Sequence, residues 1–255
     1  MAGLLAGKVA VITGGSSGLG RAMAQRFADE GVAGLVIADL RAEPREGGPT
    51  TVDLVSDRTR AMFVATDVTV PEQIERAVAA AADLGPLDVM VNNAGIVFPN
   101  KVLTTDEAAF DRMNAVNVKG VFFGTQYAAR AMLAAGRQGS IINISSMAGL
   151  QGVAGMSLYC LTKGAVRTFT YAAAAELAPK GIRVNAIHPG MADTTMIRDD
   201  IRLLDEDGNS RFPIPIGRLA QPGDIAGAAV YLASDLASYV VGSSLTVDGG
   251  MTVIG

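Results

Sequence analysis

Tyr159 and Lys163 are the residues whose types and spacing most directly suggest chemistry. They lie four positions apart in a helical pattern that continues through Val166 and Phe169, so they share one helix face. A free phenol ionises near pH ~10, and an adjacent ammonium favours the phenolate by about 1.4 kcal/mol for each unit of pKa it removes. A tyrosine so placed serves as an acid and a base near neutrality. The same spacing also describes an ordinary amphipathic helix surface, so the pair gains meaning only from its company.

A second constellation opens the chain. The apolar run Val9 to Thr13 leads directly into Thr13-Gly14-Gly15-Ser16-Ser17-Gly18-Leu19-Gly20, and a helical pattern with Leu19, Met23 and Phe27 on one face follows. Glycines permit a tight turn and let backbone approach a pyrophosphate, whose charge is favoured by the free N–H groups and positive dipole end of a helix. Asp39 stands nineteen residues after Gly20, at the end of the second apolar run, where a carboxylate suits ribose hydroxyls. It repels a 2′-phosphate, and neither Ser16 nor Ser17 supplies a cation, which favours NAD(H). Arg41 keeps NADP(H) open, and a solvated turn residue is the plain alternative for Asp39. Gly14, Ser16 and Gly18 also satisfy the nucleophile-elbow spacing of a hydrolase, for which His188 would be the only base. Such an elbow belongs in the middle of a sheet, whereas this one follows the first strand.

Taken in order, the glycine octad, Asp67-Val68, Asn92-Asn93-Ala94-Gly95, Asn117, Ser145-Ser146, Tyr159 with Lys163, and Pro189-Gly190 with Thr194 resemble the short-chain dehydrogenase/reductase family along essentially the whole chain. The resemblance implies a Rossmann-type, doubly wound parallel sheet. It implies that Tyr159 exchanges a proton with the reacting oxygen, that Lys163 binds the nicotinamide ribose and lowers the tyrosine pKa, and that Ser146 hydrogen-bonds that oxygen. Asn117 would hold a water that links Lys163 to solvent. Gly14, Ser16, Ser17, Gly18, Leu19 and Gly20 would cradle the phosphates, with Asp39 and Leu40 at the adenosine ribose. Asp67 and Val68 would meet the adenine, with Asn93, Ala94 and Gly95 beside the ribose. Pro189, Gly190 and Thr194 would receive the carboxamide. No role in this set needs a metal.

The segments after Gly95, Ser146 and Gly190 would wall the substrate pocket through Ile96, Met147, Val153, Met156, Met191 and Met196. Apolar walls suit a mid-sized secondary alcohol or ketone of alicyclic, aryl-alkyl or steroid-like kind. A 3-oxoacyl-thioester reductase using NADPH is the competing enzyme, and a non-catalytic dinucleotide sensor the competitor from another class. His188 reads as a packed strand-end residue and Cys160 as a small buried hydrophobe.

These residues need a scaffold, and the sequence provides the pattern of one. Seven short apolar runs (Val9 to Thr13, Leu35 to Ala38, Met62 to Ala65, Leu87 to Val91, Ser140 to Ile144, Arg183 to Ile187, Ser244 to Val247) alternate with helical patterns such as Ile74, Ala77, Val78, Ala81. Near-continuous apolar strands between helices imply an α/β domain with both sheet faces covered. Thr69 and Thr104 are expected to cap helices, the 41–60 stretch to hold only a short helix, and Met191 to Ile216 to form an active-site cover. One domain over residues 1–255 is expected, since length and alternation show no break. The 49% hydrophobic and 18% charged composition excludes disorder, and 25 acidic against 21 basic residues disfavour nucleic acid or an anionic membrane as partner. One His and one Cys cannot build the usual zinc sites or an internal disulfide, which points to a cytoplasmic setting. Apolar helix patterns at 106–135 and 157–179, with residues 243–255, resemble the family's subunit contacts and imply a homotetramer.

Overall fold

The computed structural model describes residues 3–201, 210 and 212–253. Each expected run is a strand, with ends shifted by two residues at most: β1 Val9–Thr13, β2 Gly34–Asp39, β3 Arg60–Ala65, β4 Val89–Asn92, β5 Gly139–Ile144, β6 Ile182–Pro189 and β7 Ser244–Val247. All pair in parallel, in the order β3-β2-β1-β4-β5-β6-β7. The helices are α1 Gly18–Asp29, α2 Thr51–Val55, α3 Pro71–Ala79, α4 Glu107–Asn114, α5 Gly120–Ala134, α6 Ser157–Leu177 and α7 Pro222–Ala233.

Inner strands carry apolar side chains on both faces because each face meets helices. On one side Met23, Phe27, Ile225 and Leu232 pack on Ile12 and Val91. On the other, Ile74, Val78 and Met132 pack on Val11, Met90 and Ile141. The edge strands depart from the expected full burial: β3 and β7 are only partly buried, since an edge strand has one neighbour and thinner helix cover.

Two expected caps are wrong: α3 starts without any side-chain cap, and at α4 Asp106 takes the capping place. Asp67 Oδ1 accepts from the Thr69 amide at 2.8 Å and the Asp67 amide donates to Gln73 Oε1, so α3 starts from Val70 with Pro71 in its first turn. Thr104 sits in the preceding turn, and Asp106 caps α4 by accepting from the Ala109 amide at 2.7 Å. The short α2 is capped by Thr50 and Asp53 reciprocally, a pattern that sequence reading passed over.

The strand order reverses between β1 and β4, whose carboxyl ends diverge to opposite sides and open a crevice. All the predicted motifs emerge at that edge of the sheet. Between α4 and α5 the chain makes a π-helical turn, Ala115–Lys119, with Asn117 at its centre and fully buried. Such turns insert an extra residue into a helix and re-aim the side chains around it.

Candidate active site

A cleft of about 680 Å³ follows the carboxyl edge of the sheet. The glycine loop, the end of β2, the β4 and β5 exits, the start of α6 and the segment after β6 line it. Nearly every predicted residue lies on its wall: Gly14, Ser16, Ser17, Gly18, Leu19, Asp39, Leu40, Asp67, Val68, Asn93, Ala94 and Gly95 at one end, then Ser146, Tyr159, Lys163, Pro189, Gly190 and Thr194. The six apolar candidates Ile96, Met147, Val153, Met156, Met191 and Met196 line it as well.

Two predicted residues stand behind the wall. Gly20 packs α1 against the loop so closely that a Cβ there would lie 2.0 Å from the Gly14 carbonyl oxygen. Asn117 uses its whole amide: Oδ1 accepts from the Ile96 amide at 2.9 Å, and Nδ2 donates to the Ile96 carbonyl at 2.9 Å and to Thr162 Oγ1 at 3.2 Å. It therefore splints the chain after Gly95 to α6.

The glycine loop is positioned from the exits of β1 and β4. Thr13 Oγ1 accepts from the amides of Asn93 and Ala94, and Asn93 Nδ2 donates back to the carbonyls of Thr13 and Gly14. Asp39 accepts from the Ser16 amide at 3.0 Å and the Leu40 amide at 2.7 Å. Burial raises the Asp39 pKa, against which these two amides and Arg41 pull it down. Ser17 leads into α1 without a side-chain cap, and the first turn of α1 holds no acid.

One contact was not anticipated. Glu46 Oε1 accepts from the Gly18 amide at 3.0 Å, so a carboxylate stands at the α1 N-terminus, where an anion is stabilised by the helix dipole. The same 41–48 loop sends Arg45 across the mouth of the cleft to Asp200, with two bonds of 2.8 Å. Asp200 belongs to a short π-helical turn, Met196–Ile201. Part of the expected cover, residues 202–209 and 211, lies outside the described residues. Beyond it Phe212 and Pro213 return to the cleft wall. Composition hinted at a loop over 41–60, but no local pattern marks a partner 155 residues away.

A dinucleotide fits these residues. The Ser16 hydroxyl oxygen is buried beside the loop without a hydrogen-bond partner. At the other end, a Cβ on Gly95 would sit 3.4 Å from both Lys163 Nζ and Asn117 Oδ1, so the space next to Lys163 exists because residue 95 lacks a side chain. Thr194 closes over the loop, its methyl 3.5 Å from where a Gly18 side chain would project.

At the centre, Lys163 is 4% exposed, and its Nζ donates to the Ile144 carbonyl at 2.9 Å and lies 5.7 Å from the Tyr159 ring centroid. Ser145, the neighbour of Ser146, spends its hydroxyl on the Lys163 carbonyl at 2.9 Å. Ser146 Oγ accepts from the Ala148 amide at 3.1 Å. Desolvation dominates both ionisable groups. Tyr159 is pushed up to about 12 by burial, opposed by the Ser146 hydroxyl and reinforced by Cys160. Burial pulls Lys163 down to about 8. Among the protein groups, taking the phenolate out of water outweighs the pull of the Ser146 hydroxyl.

A family model described as enoyl-(acyl carrier protein) reductase matches residues 14–252. The chain is 42% identical over 254 residues to 2,5-dichloro-2,5-cyclohexadiene-1,4-diol dehydrogenase LinX of Sphingobium indicum, covering 99% of both chains. It is 42% identical over 253 residues to cis-4-hydroxycyclohexanecarboxylate dehydrogenase of Sinomonas cyclohexanicum, covering 97% of both. A solved structure of a candidate 2-deoxy-D-gluconate 3-dehydrogenase from Agrobacterium tumefaciens, with NADP bound, superimposes with a TM-score of 0.83 at 35% identity, over 98% of both chains.

Proposed function

The chain belongs to the short-chain dehydrogenase/reductase family, NAD(P)-dependent oxidoreductases of CH–OH groups, and from that premise we propose that it interconverts a secondary alcohol and a ketone on a mid-sized alicyclic substrate, with NAD(H) as its preferred cofactor. One observation carries this reading: Ser146, Tyr159 and Lys163 converge on a cleft whose remaining walls are Ile96, Met147, Val153, Met156, Met191 and Met196. Two relatives at 42% identity act, by their names, on six-membered carbocycles bearing hydroxyls.

The bound nicotinamide supplies or accepts the hydride. The protein handles the proton and the charge that develops on oxygen. Tyr159 gives its hydroxyl proton to the carbonyl oxygen in reduction and takes it back in oxidation. Near neutrality a phenol with its pKa at about 12 holds that proton, so it stands ready as the donor. Ser146 offers a hydroxyl to the same oxygen, and such a donor in a water-poor cleft is strongest where charge is developing. Lys163, with its pKa at about 8, keeps most of its charge at pH ~7, and its position beside Gly95 suits a ribose hydroxyl. Asn117 holds the backbone at Ile96, and with it the wall opposite α6.

For the cofactor, Asp39 at the end of β2 supports NAD(H): its partly buried carboxylate would face a 2′-phosphate with like charge, and Glu46 adds a second negative group nearby. Arg41 and Arg45 also line the cleft, and the Agrobacterium neighbour holds NADP, so the preference is one of degree. Exposed Phe122, packed 5.2 Å from Phe169 across α5 and α6, supports a homo-oligomeric contact on that face, in a tetramer. Among the described residues no helix is long and apolar enough to cross a membrane.

A panel of alicyclic, aryl-alkyl and sugar alcohols, with their ketones, assayed in parallel with NAD(H) and NADP(H), tests both parts. Turnover of cyclohexanol- or cyclohexanediol-type compounds with NAD is expected. Activity confined to sugars or to open-chain alcohols would overturn the substrate class, and faster turnover with NADP would overturn the cofactor.

A further inference from the structure

His188 is the only histidine in the chain and has no exposed surface. It sits at the end of β6, next to Pro189 and Gly190, and each ring nitrogen has one partner. Nδ1 is 3.0 Å from the Ser146 carbonyl oxygen, and Nε2 is 3.0 Å from Ser244 Oγ on β7. Ser244 Oγ is in turn 2.7 Å from the hydroxyl of Tyr171, a residue of α6 that is 42% exposed.

Elementary valence fixes the direction of this whole line. A carbonyl oxygen only accepts, so the ring proton must be on Nδ1. A neutral imidazole then carries a lone pair at Nε2, and Ser244 must donate its hydroxyl there. Having spent its one proton, Ser244 can only accept from Tyr171. The chain therefore runs from the Tyr171 hydroxyl to Ser244, to His188, to the Ser146 carbonyl. Burial, with the charges of Arg167 and Lys163, disfavours a second proton on the ring, against the opposing pull of the Ser146 carbonyl.

The end of this line is the peptide that carries the site hydroxyl. Ser146 has an extended backbone, φ −169°, and starts the short turn Met147–Gly149. Its carbonyl leads into the Met147 peptide, whose plane sets how the turn leaves β5 and where the Ala148 amide meets Ser146 Oγ. We propose that His188 is a positioning residue that acts through Ser146: its Nδ1–H is the second donor to the Ser146 carbonyl, beside the Gly149 amide at 2.9 Å, and the two together fix the peptide that aims the Ser146 hydroxyl at the reacting oxygen. This rests on the reading of Ser146 and Tyr159 given above. It makes His188 part of the site's construction rather than a packed strand end.

A single histidine makes the tautomer directly readable. In protein labelled with ¹⁵N and ¹³C only at histidine, magic-angle-spinning spectra between pH ~6 and ~8 should show one ring, with the proton on Nδ1 and Nε2 bare. A proton on Nε2, or on both nitrogens, overturns the proposal. Ser244→Ala removes the donor to Nε2 but leaves the Ser146 carbonyl facing Nδ1, so the proton should stay on Nδ1 while the Nε2 chemical shift moves as its hydrogen bond is lost. A proton that moves to Nε2, or an unchanged Nε2 shift, contradicts the line as drawn.

Kinetics then separate positioning from packing. In His188→Asn the amide nitrogen falls close to the place of Nδ1 and keeps the donor to Ser146, whereas in His188→Gln it falls closer to Nε2 and keeps only the Ser244 partner. The glutamine variant should lose about thirtyfold in kcat, of the order seen when a site group is misplaced by a fraction of an ångström, and the asparagine variant should recover most of it. Nicotinamide dinucleotide binding, followed by fluorescence, should be unchanged in both. Equal kcat losses in the two, or a greater loss in the asparagine variant, overturn the proposal. Should either variant fail to fold, the wild-type and Ser244→Ala spectra still decide it. Unchanged turnover in Tyr159→Phe would instead break the reading of the site, while the histidine spectrum, which needs no turnover, would stand on its own.

Discussion

The two ends of the cleft are built from different material. At the glycine-loop end the surface is largely backbone, held by Thr13, Asn93 and Asp39 through hydrogen bonds of 2.7 to 3.1 Å. At the substrate end it is side chain: Met147, Met156, Met191 and Met196 with Ile96 and Val153. Backbone that faces a ligand changes little when neighbouring side chains differ, so the shape of the first end is set by the fold and its hydrogen bonds. Thioether walls are soft and refit to different ligands. One end therefore fixes the cofactor, and the other is free to choose the alcohol.

The sharpest break in this contrast comes from Gly20→Ala. Its new methyl would meet the Gly14 carbonyl at 2.0 Å, a backbone atom with nowhere to go. A loss on the order of 3 kcal/mol is expected, with loss of dinucleotide binding, read by urea unfolding and by fluorescence titration.

Lys163→Met tests the electrostatics between the two ends. The folded pKa of about 8 lies below the unfolded value near ~10.4, so the folded state binds fewer protons between these values. The charge thus costs about 3 kcal/mol below pH ~8, and that cost disappears as pH rises toward ~10.4. Losing the bond to the Ile144 carbonyl offsets roughly 1 kcal/mol. Near neutrality the methionine variant should be more stable by about 2 kcal/mol and inactive, and its advantage should vanish in thermal unfolding at pH ~10. A variant less stable at neutral pH would show that the buried charge is better compensated than its single carbonyl partner implies.

Asp39→Ser should shift the ratio of kcat/KM for NADP over NAD upward by tenfold to a hundredfold, roughly the effect of removing one like-charge contact. No shift would move the discrimination to Glu46. The smallest effect belongs to the methionine end. Met196→Ala should raise KM for a cyclohexanol-type substrate about threefold with kcat little changed, because the wall is adaptable and half open.

Much of this was legible in the sequence because parallel strands buried on both faces announce themselves as apolar runs, and because the glycine loop and the Tyr159/Lys163 pair are local. What escaped notice depends on distant partners. Thr69 and Thr104 have the right type for caps, yet Asp67 draws the Thr69 amide into a turn before α3 and the start of α4 falls two residues later, where Asp106 accepts from Ala109. The π turn at Asn117 has no local signature, and the bond between Arg45 and Asp200 joins loops that only the fold brings together. His188 looked inert because its chemistry resides in the backbone carbonyl of Ser146.

The central claim is that Tyr159 moves the proton while the rest of the cleft holds the cofactor. Turnover of a cyclohexanol-type alcohol with NAD by wild type and Tyr159→Phe, alongside NADH binding to both, tests it most directly. The account predicts a fall in kcat of about a thousandfold with binding retained within about threefold. Turnover unchanged in the phenylalanine variant would contradict it.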